Sequence, residues 1–166
     1  MTDRLTLAEF RAKYGADALK PKAKPKVSRR AQQKVKLALL VFTRKLEREY
    51  GFKDLGQWNK SHGMEPDGMV TEFPFARKRK RKYRLDFAIP KLKVGMEIHG
   101  GQYVVRSDGS MGGAHHSIEG RARDMAKGNL AAVMGWIVIE VSPKELADGA
   151  AYRWIKEALT LRGRHD

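Results

Sequence analysis

The sequence predicts an α/β domain, a mixed central sheet flanked by helices, in the order helix, three strands, helix, strand, helix. Three observations predict it. In 28–50, Val35, Leu39, Phe42 and Leu46 recur at helical spacing and make one apolar face. Between 69 and 99, three short strand-like runs are separated by turn residues and a charged connection. Finally, a helical stretch closed by Gly135 leads into the apolar run "WIVIEV" and then "SPKE", a helix start.

Taken in order, "TLAEF" (6–10) has the capping-box form and predicts a short helix from Thr6. "LKPKAKPKVSRR" follows, with prolines set between lysines. It has little apolar area to bury and reads as an extended basic linker. Residues 1–27 are therefore expected to form an N-terminal arm and 28–166 the folded domain. Ser28 caps the helix over 28–50 and Gly51 stops it. The stretch 53–67, with Gly56, Gly63 and Pro66, reads as loop. Strands are expected at 69–76, 83–89 and 92–99, the last two turned by "IPKLK" into an antiparallel pair. A glycine-rich loop at 100–117 follows, and loops this long inside a compact domain are commonly functional. Ser117 caps a helix over 118–134, and 136–141 is a buried strand. Ser142, Pro143 and Glu145 then open a final helix that carries Leu146, Tyr152, Trp154 and Ile155.

The chain has 166 residues, enough for one domain with a real core, and no cysteine, which excludes disulfide scaffolds and thiolate metal sites. The N-terminal "MTDRLTLAEF" has no apolar signal core, and no stretch approaches the ~20 apolar residues of a membrane span. A cytoplasmic protein without membrane association is expected. The net charge is +15 and unevenly placed. Residues 1–85 hold 23 basic against 9 acidic side chains, and 86–166 hold 11 against 10. Clustered lysine and arginine favour an acidic polymer, and nucleic acid is the expected partner.

Chemistry concentrates in "RLDFAIPKLKVGMEIHGG" (84–101), where Asp86 and Glu97 interrupt strand-like runs. A carboxylate in a half-buried strand must be solvated, paired or bound to a cation. Across a short turn, Asp86 and Glu97 can lie side by side and make an oxygen site for Mg²⁺, with Mn²⁺ as substitute. His99, two residues beyond Glu97, shares its face by the period of a strand and can orient or deprotonate water. The plainer alternative is ion pairing, of Asp86 with Arg84 and of Glu97 with Lys93.

This element order, with Asp on the second strand and Glu-x-His on the third, resembles the PD-(D/E)XK nuclease superfamily. "YRLDFAIPKLKVGMEIHGG" followed by "GGAHHSIEGRARDMAKGNLAAVMGWIVIEVSP" is similar to a phage and bacterial branch near the very-short-patch-repair endonucleases. The resemblance covers about Ser28 to Pro143 and implies a restriction-endonuclease-like αβββαβ core. It also implies Mg²⁺-dependent DNA cleavage, with Asp86 and Glu97 as metal ligands. Where the superfamily has lysine after Glu-x, this chain has His99. The branch implies a role for His115 or His116 as general acid or water-orienting group. The superfamily's first-helix glutamate is replaced within "RRAQQK" by Gln32 or Gln33, and Glu72 on the first strand is the better candidate for that carboxylate. Asp124 recurs in the branch; Arg123 and Lys127 on the same helix can reach phosphate or simply face solvent.

Arg77, Lys78, Arg79, Lys80, Arg81 and Lys82 form an uninterrupted basic run leading into the Asp86 strand, expected as a projecting hairpin tip that contacts phosphates. Lys22, Lys24 and Lys26 of the arm can track a second backbone segment. No zinc finger, leucine zipper or helix-turn-helix is visible, so recognition of DNA structure, such as a branched or Holliday junction or a nicking site, is expected over base readout. Resolution of a junction requires two sites and hence a homodimer. The competing reading is a non-catalytic basic nucleic-acid-binding protein on a nuclease-like fold.

Overall fold

The helical spacing of Val35, Leu39, Phe42 and Leu46 is realised in α1 (Arg29–Tyr50), whose stripe enters the core. The computed structural model describes residues 29–99, 118–163, 104–105 and 111–112, with positions 6, 8 and 12 near the start. The expected basic linker and its Lys22, Lys24 and Lys26 lie outside the described residues.

Five strands make the main sheet: β1 (Asp54–Gln57), β2 (Met69–Phe73), β3 (Leu85–Ile89), β4 (Val94–Ile98) and, after two short strands, β7 (Ile137–Val141). Their spatial order is β1-β2-β3-β4-β7. β2, β3 and β4 form an antiparallel meander, while β1 runs parallel to β2 and β7 parallel to β4. The expected strands are present but shorter. Pro74 lacks a ladder donor and follows the last residue of β2, although Phe75 and Ala76 beyond it remain buried. The turn "IPKLK" is a tight 3₁₀ turn at Pro90–Leu92, closed by Lys93 in the left-handed region.

Two stretches expected as loop contain strands. Residues 53–67 include β1, which has one apolar residue and therefore no alternation to betray it. Its place is held by backbone bonds, Met69 N–H to Lys53 O (2.7 Å) and Trp58 N–H to Thr71 O (2.9 Å). Within 100–117, β5 (Val104–Val105) pairs antiparallel with β6 (Met111–Gly112). The helix expected at 118–134 is α2 (Ile118–Val133). The last helix is divided into α3 (Pro143–Ala147) and α4 (Ala150–Leu161). Asp148 ends the first piece and Gly149, at φ 84°, makes the left-handed step that a side chain disfavours. The capping box read in "SPKE" is formed, with Ser142 N–H donating to Glu145 Oε2 at 2.7 Å.

The sheet carries a core on each face. One joins Phe42, Leu46, Phe87, Met96, Tyr152, Ile155 and Leu159, beneath α1 and α4. The other joins Val70, Phe73, Phe75, Leu85, Ala88 and Ala131, with Trp58 and Trp136 packed on it, beneath α2. Among the described residues, no helix is long and apolar enough to cross a membrane.

Candidate active site

Sheet register decides what the carboxylates can do. Thr71 pairs with Phe87 and Phe73 with Leu85, so Glu72 stands across from Asp86. Phe87 pairs with Met96, and one step further along the same register Asp86 stands across from Glu97. Glu97 in turn pairs with Glu140 of β7. Four acidic residues thus form a row across β2, β3, β4 and β7. The row lies at the end of the sheet where the 74–84 connection, bearing the basic run, joins β2 to β3.

The row is not uniform. Asp86, Glu97, His99 and Glu140 line a cleft of about 430 Å³, with Asp124 and Lys127 of α2 on its far wall. Glu72 is exposed, with φ 53°, and its carbonyl accepts from Arg84 Nη1 at 3.3 Å. It lines a separate groove on the α1 side of the sheet, together with Gln32 and Asp86. Glu72 is therefore a neighbour of Asp86 without being a wall of the Glu97 cleft, and Gln32, rather than Gln33, shares its groove. Asp86 borders both spaces.

Asp86 is fixed by its partner strand: Ile98 N–H donates to Oδ2 at 2.7 Å. The side chain takes a donor that the ladder leaves open two residues past Met96, which locks the carboxylate at the cleft mouth. Arg84 and Lys93, the plain ion-pair candidates, donate to the Glu72 and Met134 carbonyls instead.

Glu97 is buried enough that the low dielectric dominates its chemistry. Desolvation pushes its pKa up from 4.5 to about 7, against a hydrogen bond and charge from Lys127 that pull it down; the Asp86 and Glu140 carboxylates push it up further. Lys127 Nζ lies 2.6 Å from Oε2, whereas Oε1 is buried with no hydrogen-bond partner. A buried carboxylate oxygen without a donor is costly and fits a cation ligand. Among the described residues, no three histidine, aspartate or glutamate side chains converge as a complete metal cage. The donor chemistry suits a hard ion held by two carboxylates, with water and phosphate completing the shell.

His99 N–H donates to Val141 O at 2.8 Å, extending the β4–β7 pairing, and its Nε2 lies 3.4 Å from Glu140 Oε2. Sequence reasoning missed Glu140, although it carries the signal that singled out Asp86, an acid inside an apolar strand run. The Lys127–Glu97 contact left no local signal, because it joins residues brought together only by α2 packing on the sheet. His115 and His116 lie outside the described residues.

The basic run is exposed from Arg77 to Lys82. In place of a projecting tip it folds into a 3₁₀ turn at Arg77–Arg79, with Lys80 left-handed and Arg81 N–H returning to Ala76 O at 3.2 Å. The turn follows the buried Phe75 and Ala76, which tether it to the core. Arg77 lies 5.5 Å over the Trp58 ring and Lys78 3.5 Å from Glu65, both on the domain's own surface. Comparison with family models, curated proteins and solved structures returned no match for this chain.

Proposed function

We propose that this chain is a metal-dependent DNA endonuclease that hydrolyses phosphodiester bonds in structured DNA such as a branched junction or a nicking site. On this reading it has a restriction-endonuclease-like αβββαβ core, a basic N-terminal arm, and works as a homodimer. The observation that carries it is the alignment of Asp86 and Glu97 across adjacent strands, at the end of the sheet that also bears six consecutive exposed cations. The α1, β2–β4, α2, β7 order and the mixed sheet support the fold assignment.

Asp86 and Glu97 would hold Mg²⁺ or Mn²⁺. Such an ion activates a water and neutralises charge on the attacked phosphate. The chain's own groups prepare the site. Ile98 N–H holds the Asp86 carboxylate in one orientation. His99, whose Nε2 lies 3.4 Å from the Glu140 carboxylate, stands on the cleft wall, where an imidazole can orient or deprotonate the attacking water. Exposed Arg79 to Lys82 meet the phosphate backbone, the lysines as point charges and the arginines as planar forks, which positions DNA without reading bases.

The test is cleavage of labelled duplex, nicked, mismatched and four-way DNA in Mg²⁺ by wild type and Asp86→Asn. The variant keeps the side chain's size and loses its anion, so it is expected to bind DNA and lose metal-dependent cleavage by at least about 10³-fold, the effect of removing several kcal/mol of transition-state charge stabilisation. Full cleavage by purified Asp86→Asn would remove Asp86 from the catalytic site, and wild type that binds DNA without cleaving any of these substrates would leave a non-catalytic DNA-binding protein.

A further inference from the structure

We propose that Lys127 is the built-in counter-ion of the metal-free site, and that a divalent cation enters by displacing its ammonium from Glu97. This rests on the endonuclease reading and concerns how that site is loaded. Lys127 Nζ is 2.6 Å from Glu97 Oε2, and both side chains are largely withdrawn from water. The cleft gathers Asp86, Glu97 and Glu140, so an empty site needs a positive charge to hold these carboxylates together. One ammonium contributes one charge and engages one oxygen. Glu97 Oε1 stays buried without a hydrogen-bond donor, so the lysine neutralises the site incompletely, and a divalent ion is a stronger competitor for the same carboxylate.

Displacement has a consequence for DNA. A lysine driven off Glu97 within a cleft needs another anion, and an incoming phosphate supplies one. Metal and phosphate therefore help each other bind: each makes the other's arrival less costly for Lys127, and by linkage the effect is reciprocal. Lys127 is a positioning residue in this scheme, setting when the site accepts metal.

The experiment is calorimetric titration of Mg²⁺ into wild type, Lys127→Met, Lys127→Arg and Asp86→Asn. It is run without DNA at pH 8.5, above the titration of Glu97, so that proton competition does not mask the cation exchange. Lys127→Met is expected to bind Mg²⁺ at least tenfold more tightly than wild type, and Lys127→Arg to stay within about threefold of it, a single charge being conserved. Inorganic phosphate at a fixed concentration is expected to tighten Mg²⁺ binding by wild type and to have little effect on Lys127→Met. Equal or weaker Mg²⁺ binding by Lys127→Met, with wild type binding normally, overturns the proposal and leaves the endonuclease reading intact. Mg²⁺ binding by Asp86→Asn as tight as wild type, or none by any protein, overturns the metal site itself and this proposal with it. Should Lys127→Met fail to fold by circular dichroism, Lys127→Gln carries the same expectation.

Discussion

At the scale of single residues, burial and two like-charged neighbours outweigh the cation partner of Glu97, and its proton is hard to remove. The folded carboxyl titrates at about 7 against an ordinary 4.5, so the folded state holds the proton more tightly than the unfolded chain does. For an acid shifted upward, folding is unpenalised below the unfolded value, and stability is lost as pH rises from about 4.5 through 7. The ionised group costs on the order of 3 kcal/mol above that window. Glu97→Gln removes the titration and retains an oxygen for Lys127. It is expected to melt at the same temperature as wild type near pH 4.5 and several degrees higher at pH 8.5. Melting curves across that range check it, and a constant gap between the two proteins would show that Glu97 is not desolvated.

At the scale of elements, β4 must run close to β3 for Asp86 and Glu97 to meet, and Gly95 permits the approach. A methyl built there would lie 2.6 Å from Leu85 Cδ1 and 3.3 Å from Phe87 O. Leu85 is fully buried and adjoins Asp86 in the chain, so Gly95→Ala must displace it within a packed core. A loss of about 1–3 kcal/mol is expected from overpacking, with weaker metal binding, measured by denaturant unfolding and Mg²⁺ titration. Leu85→Ala in the same chain is expected to recover Mg²⁺ binding by clearing the clash. Much of this level was legible beforehand. The stripe through Val35 and Leu46, the "IPKLK" turn and the "SPKE" cap are local patterns, and each formed as read. What was not legible depends on distant partners. β1 is a strand because Met69 and Thr71 of β2 offer backbone bonds, the break at Gly149 is a single left-handed step, and Lys127 meets Glu97 only after α2 docks. That Asp86, Glu97 and His99 share one cleft was legible because acids inside apolar strands are expensive and the strand period puts His99 on the face of Glu97. Glu140 obeys the same rule and was passed over.

At the scale of the whole molecule, opposite charges gather at one end of the sheet, where the exposed run Arg77 to Lys82 adjoins the row of carboxylates. Replacing Lys78, Arg79, Lys80 and Arg81 with alanine is expected to weaken DNA binding and lower the slope of log affinity against log salt by about 2–4, since fewer counterions are released. Single-turnover cleavage at saturating protein should fall far less. An unchanged salt slope would take this turn out of the interface. The acidic row has a further consequence, for the history of the chain as it folds. Side chains alternate along a strand, so a slip of one residue in β2, β3, β4 or β7 sends that strand's acid to the opposite face. The β3–β4 turn closes locally, but Glu140 reaches Glu97 only after the chain has crossed through α2 to pair β7 in parallel, the slow, long-range step of such a topology. Completion of the cleft therefore waits on that step: the β3–β4 turn can set Asp86 against Glu97 early, whereas Glu140, the neighbour of His99, arrives only with β7.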